Sequence, residues 1–145
     1  MGSWAKRCVC LAQIDDMGQE EILPGVLSLL QYAKENNIPV ALGSASKNAT
    51  AILQKLGITS YFDALVDGNH VTKSKPDPEV FLKGAEILQQ DPKNCIVFED
   101  AAAGIQAAKT AGMTTIGMGT AEEVQTADHC FNTMEEITHE FISAL

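Results

Sequence analysis

Three short apolar runs, Ile38–Gly43, Cys95–Phe98 and Thr114–Met118, do most to limit what this chain can fold into. They are continuous rather than alternating, which is the pattern of strands buried on both faces in a parallel sheet. Stretches with helical periodicity separate them. Pro24-Gly25 opens a helix to about Asn36, with Val26, Leu29, Leu30 and Ala33 on one face. Ser44–Asn48 turns into a helix through Leu56 that Gly57 caps. Asp77 and Pro78 start a third helix running to about Gln89. A fourth runs from about Ala102 to Ala111 and is closed by Gly112. Tyr61–Val66 and His129–Phe131 are further strand candidates, and Thr133 caps a terminal helix with Glu135 and Glu136 in its first turn. The order predicts a three-layer α/β/α sandwich around a parallel sheet.

The strand ends carry the chemistry. The Cys95–Phe98 run stops at two adjacent carboxylates, Glu99 and Asp100, and small residues then begin a helix. Ligands of open α/β sheets bind beyond the carboxyl ends of strands. Two acids there are costly unless a cation or hydrogen-bond donors hold them. The plainer alternative is that Asp100 caps the next helix. After Gly43, Ser44 and Ser46 lie at a helix start, where hydroxyls and free N–H groups make an anion cradle or a simple N-cap. In Lys73-Ser74-Lys75-Pro76 the proline stiffens the segment after Lys75, so its ammonium is either aimed or simply solvated. Together the three ends suit a phosphate beside a hard divalent cation such as Mg²⁺.

Charge narrows the partners. The 145 residues carry 19 acids against 10 bases, a net charge of −9, which argues against a nucleic-acid groove or an anionic membrane surface. No 20-residue apolar span or signal peptide is recognisable. Cys8, Cys10, Cys95 and Cys130 form no framework-like spacing and read as reduced thiols of a cytoplasmic protein. Cys8-Val9-Cys10 reads as core thiols rather than a metal site, and His70, His129 and His139 form no ligand pair. The first eighteen residues are ambiguous. Trp4, Cys8, Leu11 and Ala12 recur at helical spacing, yet Cys8–Ala12 also reads as a buried strand; the helix is the preferred reading.

The combination Leu23-Pro24-Gly25, Leu42-Gly43-Ser44-Ala45-Ser46-Lys47-Asn48, Tyr61-Phe62-Asp63, Ser74-Lys75-Pro76-Asp77-Pro78 and Phe98-Glu99-Asp100-Ala101-Ala102-Ala103-Gly104 resembles the haloacid dehalogenase superfamily. It is most similar to the β-phosphoglucomutase and sugar-phosphatase branch, over residues 20 to about 141. The resemblance implies phosphate binding by Ser44, Ala45, Ser46, Lys47 and Asn48. It implies that Lys75 neutralises phosphate and nucleophile, and that Glu99 and Asp100 hold Mg²⁺. The implied fold is a Rossmann-like parallel sheet, and the implied function is phosphotransfer or phosphatase chemistry on a small sugar phosphate, or binding of inorganic phosphate.

The family's nucleophile lies in an Asp-x-Asp-Gly motif at the end of its central first strand, and a helical cap follows. This chain has no such motif, and Pro24 comes too early for a full cap before it. Asp15 and Asp16 are adjacent, so on a strand they face opposite ways, and the segment looks more like the last cap helix. Residues 1–19 are therefore expected to be a cap-helix remnant or a replacement strand, and residues 20–145 the core. Three arrangements would deal with the missing first strand. Cys8–Ile14 could fill the slot, the flanking strands could pair directly, or a second copy could cover the edge in a homodimer. The isolated chain is expected to lack turnover. The alternative is a pseudoenzyme or remnant that binds phosphate or metal as a homo-oligomeric protein.

Overall fold

A computed structural model of the chain describes residues 8–12, 19–44, 49–119, 122–131, 136–138 and 140–141. Six parallel strands form one sheet: β1 (Cys8–Ala12), β2 (Val40–Gly43), β3 (Ala64–Val66), β4 (Cys95–Glu99), β5 (Thr114–Met118) and β6 (His129–Phe131). Their spatial order is β3-β2-β1-β4-β5-β6. The chain thus winds outward from β1 in one direction and from β4 in the other. The reversal between β1 and β4 is a topological switch point, the place where open α/β sheets bind ligands.

The strands are continuous apolar runs because the sheet is covered on both sides. Val9, Leu11, Val40, Leu42, Ile96 and Phe98 pack into one core with helices α1 (Gln19–Glu35) and α2 (Ala49–Leu56). Cys8, Cys10, Ala41, Cys95 and Val97 pack into the other with α3 (Glu79–Ile87) and α4 (Ala102–Thr110). The three-residue β3 and β6 end the sheet, and short edges limit pairing with other chains.

Cys8–Ala12 is a strand, not the preferred helix. It pairs with β2 from Val9↔Val40 to Ala12↔Gly43 and with β4 from Cys8↔Cys95 to Leu11↔Phe98. The physical reason is that an empty slot there would strand buried N–H and C=O groups of two central strands, each a substantial cost. A helix would also place only one apolar stripe on the core, whereas β1 buries apolar side chains on both faces. Direct pairing of β2 with β4 does not occur, and the edge that prompted a homodimer is filled within the chain. β2 and β4 therefore stay two strand widths apart, about 10 Å.

The cysteines also differ from expectation. Cys8 and Cys95 are paired across β1 and β4 with Cα atoms 4.6 Å apart, and they form a disulfide. Only Cys10 and Cys130 are free among the described residues. Burial pushes the Cys10 thiol up to about 12, so it stays protonated and unreactive. Among the described residues no helix is long and apolar enough to cross a membrane.

The pairing makes a direct prediction. A non-reduced digest is expected to yield the Cys8 and Cys95 peptides linked, with Cys10 resisting alkylation until the protein unfolds. Reduction removes a cross-link over a long loop and is expected to cost roughly 4 kcal/mol, read as a lower urea midpoint. Alkylation of Cys8 in the native, unreduced protein would contradict the assignment.

Candidate functional site

At the end of β2 the chain stays in the sheet for one more residue. The buried Ser44 donates its N–H to the Val66 carbonyl at 2.9 Å, which fixes the serine at the carboxyl edge. β2 itself is pinned at its start, where the Asp63 carboxylate accepts from the Val40 N–H at 2.9 Å.

The segment after β3 delivers Lys75. The buried Asp67 accepts from the Asn69 N–H at 2.8 Å, and its own N–H donates to His70 Nδ1 at 3.1 Å. From the first turn of α3, Glu79 Oε1 accepts from Thr72 N–H, Thr72 Oγ1 and Lys73 N–H at 3.0, 3.1 and 2.8 Å. Asp77 Oδ1 accepts from the Glu79 N–H at 3.0 Å, while the N-cap position itself falls on Pro78, one residue later than the sequence suggests. The loop is therefore tied to α3 on both sides of Lys75. The Lys75–Pro76 peptide is cis.

Lys75 is aimed, not solvated. Its Nζ lies 2.8 Å from Glu99 Oε2, with the lysine side chain 8% exposed and the glutamate 0%. The ammonium also sits 5.2 Å from the centre of the Phe81 ring. Glu99 Oε1 accepts from the Asp100 N–H at 3.0 Å, so both oxygens of this buried acid are occupied. Asp100 is half-buried. The N-cap position of α4 belongs to Ala101, which makes no side-chain cap.

Ser44 and Lys75 line one cavity of about 220 Å³, together with Thr72, Lys73, Ser74 and Val80. Hydroxyls and ammonium groups suit an anion. Its volume is below the ~300 Å³ at which small-molecule pockets begin, which suits a phosphoryl group better than a whole sugar phosphate. Ala45, Ser46, Lys47 and Asn48 lie outside the described residues, as do Asp15 and Asp16. Sequence reasoning missed Glu79 and Asp67 as organisers of the loop. An acid immediately after Asp-Pro at a helix start was the available signal for Glu79.

With this geometry in place, comparison with known proteins becomes specific. The family model for haloacid dehalogenase-like hydrolases matches residues 9–112. The chain belongs to that family. β-Phosphoglucomutase of Bacillus subtilis is 40% identical over 129 residues, which covers 89% of this chain and 57% of that protein. Fructose-1-phosphate phosphatase YqaB of Escherichia coli is 43% identical over 96 residues, covering 66% of this chain and 51% of the relative. The crystal structure of β-phosphoglucomutase from Clostridium difficile superposes with a TM-score of 0.83 at 41% identity, over 90% of this chain and 59% of that one. This haloacid dehalogenase-family chain thus spans about half the length of the curated relatives it matches.

A metal fits the acids in one way only. Among the described residues no three His, Cys, Asp or Glu side chains cluster as a closed cage. Both Glu99 oxygens already accept from Lys75 and the Asp100 N–H, so Mg²⁺ would have to use their remaining lone pairs beside the Asp100 carboxylate, with waters and phosphate oxygens completing its shell.

Two predictions test the site as built. Lys75→Met leaves Glu99 buried without a cation and is expected to cost about 3–5 kcal/mol in denaturant unfolding. Lys75→Met with Glu99→Gln is expected to recover much of that, because no uncompensated charge remains. The second concerns acid. Hydrogen bonds, led by the Lys73 N–H, hold the Glu79 carboxyl below its ordinary range. A depressed carboxyl stabilises the folded form above its unfolded value, and that contribution is lost as pH falls through the folded value. Protection of the Thr72 and Lys73 amides, taken relative to their intrinsic exchange rate at each pH, should therefore fall only on acidification below the usual glutamate range. Glu79→Gln should remove that pH dependence.

Proposed function

We propose that this chain is the phosphate- and Mg²⁺-binding core of a β-phosphoglucomutase-like phosphotransferase or phosphatase for small sugar phosphates, without the covalent step in the chain itself. One observation carries the binding half. Lys75 reaches from its loop to the switch point, where it pairs with Glu99 and lines the same cavity as Ser44. Ser44 offers a hydroxyl to phosphate oxygens, and Lys75 offers charge to the same group. Glu99 and Asp100 would hold the metal, and Mg²⁺ when bound supplies charge neutralisation at the phosphoryl oxygens. Because Glu99 already neutralises Lys75, phosphate affinity should depend on the metal.

The composition of β1 carries the other half. β1 ends at Ala12, level with Gly43, and contains no carboxylate. The next acids in sequence are Asp15 and Asp16, three and four residues further on. An aspartyl-phosphate route needs a carboxylate in line with phosphorus at the end of that central strand. The second reading, a phosphate-binding pseudoenzyme, draws its support from the same feature.

Calorimetric titration with inorganic phosphate, with and without Mg²⁺, tests binding. Binding that needs Mg²⁺ and is lost in Ser44→Ala and Asp100→Ala is expected, and no binding under either condition overturns the proposal. Assays with β-glucose 1-phosphate and fructose 1-phosphate should show no turnover. Turnover abolished by Asp15→Ala or Asp16→Ala would restore a nucleophile to this chain.

A further inference from the structure

We infer that Gly104 is a positioning residue: the space left by its missing side chain is the slot that aims the Glu99 carboxylate at Lys75. The inference rests on the reading of Lys75 and Glu99 as parts of the phosphate and metal site. A Cβ built on Gly104 would lie 1.8 Å from Glu99 Oε2, 2.0 Å from its Cδ and 2.4 Å from its Cγ. All three separations are far inside van der Waals contact, which begins near 3.5 Å between carbon atoms. The clash reaches Cγ, so turning the carboxylate group alone does not relieve it. The whole side chain would have to swing away. It has no open direction, because it is fully buried, with Oε2 on Lys75 and Oε1 on the Asp100 N–H.

Backbone freedom is not why glycine stands here. The glycines with left-handed φ are Gly57, Gly112 and Gly119, whereas Gly104 is an ordinary helical residue in the first turn of α4. In an ordinary helical position glycine is the poorer choice, since alanine stabilises a helix relative to it. A buried helical glycine facing a buried acid is therefore explained by volume. Glu99 is oriented from three sides: by the slot, by the Asp100 N–H and by Lys75. Filling the slot expels the carboxylate and leaves Lys75 a buried cation without its partner.

A double-mutant cycle separates this from generic helix packing. Gly104→Ala is made with Glu99 intact and in a Glu99→Ala background, and unfolding is measured for all four proteins. The unpaired Lys75 is common to both Glu99→Ala proteins, so its cost cancels. With Glu99 intact, Gly104→Ala is expected to lower the folding equilibrium constant by at least about tenfold. Without Glu99 it should be neutral or stabilising, as at any helical glycine. If Gly104→Ala folds only in the Glu99→Ala background, the coupling is present at its limit. An equal loss in both backgrounds, or folding in neither, overturns the inference. Lysine acylation mapped by mass spectrometry adds a readout that loose packing alone would not select. Lys75 should become the newly reactive site in Gly104→Ala, and unchanged protection of Lys75 would overturn the inference. Phosphate titration of the wild-type chain is scored separately, so a failure to bind phosphate would count against the binding reading and not against the role of Gly104.

Discussion

A parallel sheet cannot leave its central hydrogen-bonding edge open, and the rest of this structure follows from how that demand is met. Cys8–Ala12 supplies donors and acceptors to both β2 and β4, so neither strand has to pair with the other or with a second molecule. The spacing of the two strand ends follows. With β1 between them, Ser44 and Glu99 stand on either side of a gap one strand wide, and Lys75 reaches Glu99 from the loop between β3 and α3, where it lines a cavity with Ser44. Had β2 and β4 paired directly, that gap would have closed by about one strand width.

Within the gap, charge is handled by pairing rather than by solvent. Removing an ammonium and a carboxylate from water costs several kcal/mol per ion, which their attraction offsets only with good geometry and satisfied lone pairs. Here the geometry is good: a 2.8 Å contact, a second donor on the other carboxylate oxygen, and an aromatic face beneath the cation. Such a site is ordered before any ligand arrives. Its lysine is also already neutralised, so a bound anion has to compete with Glu99 for it.

Much of this was legible in the residues, and the gaps have identifiable causes. β5 and β6 begin and end where their apolar runs do. β2 starts later than Ile38, because the Ile38 N–H is taken by the Ala33 carbonyl as α1 ends. The third strand is shorter than Tyr61–Val66 because Thr59–Tyr61 forms a 3₁₀ turn. α1 begins at Gln19, ahead of Pro24. Ser44, Lys75 and Glu99 were recognisable one by one as strand-end or loop residues with chemistry to offer. That Lys75 and Glu99 occupy each other depends on side-chain reach across 24 positions, which no local pattern encodes. The disulfide was hidden for a related reason. Cysteine spacing says nothing about adjacency until the order of the strands is known, and the helical reading of residues 1–18 placed Cys8 away from β4.

The Cys8–Cys95 bond closes a covalent ring of 87 residue steps. That ring contains α1, β2, α2, β3 and α3, and with them Ser44 and Lys75, while Glu99 lies four residues outside the knot. A backbone cut anywhere in the exposed stretch around Asn69 or Lys73 would therefore not release a fragment. Both pieces would stay linked at the sheet centre, with the lysine on one side of the break and the serine on the other. As long as that bond is intact, the parts of the site are held together by topology as well as by folding energy.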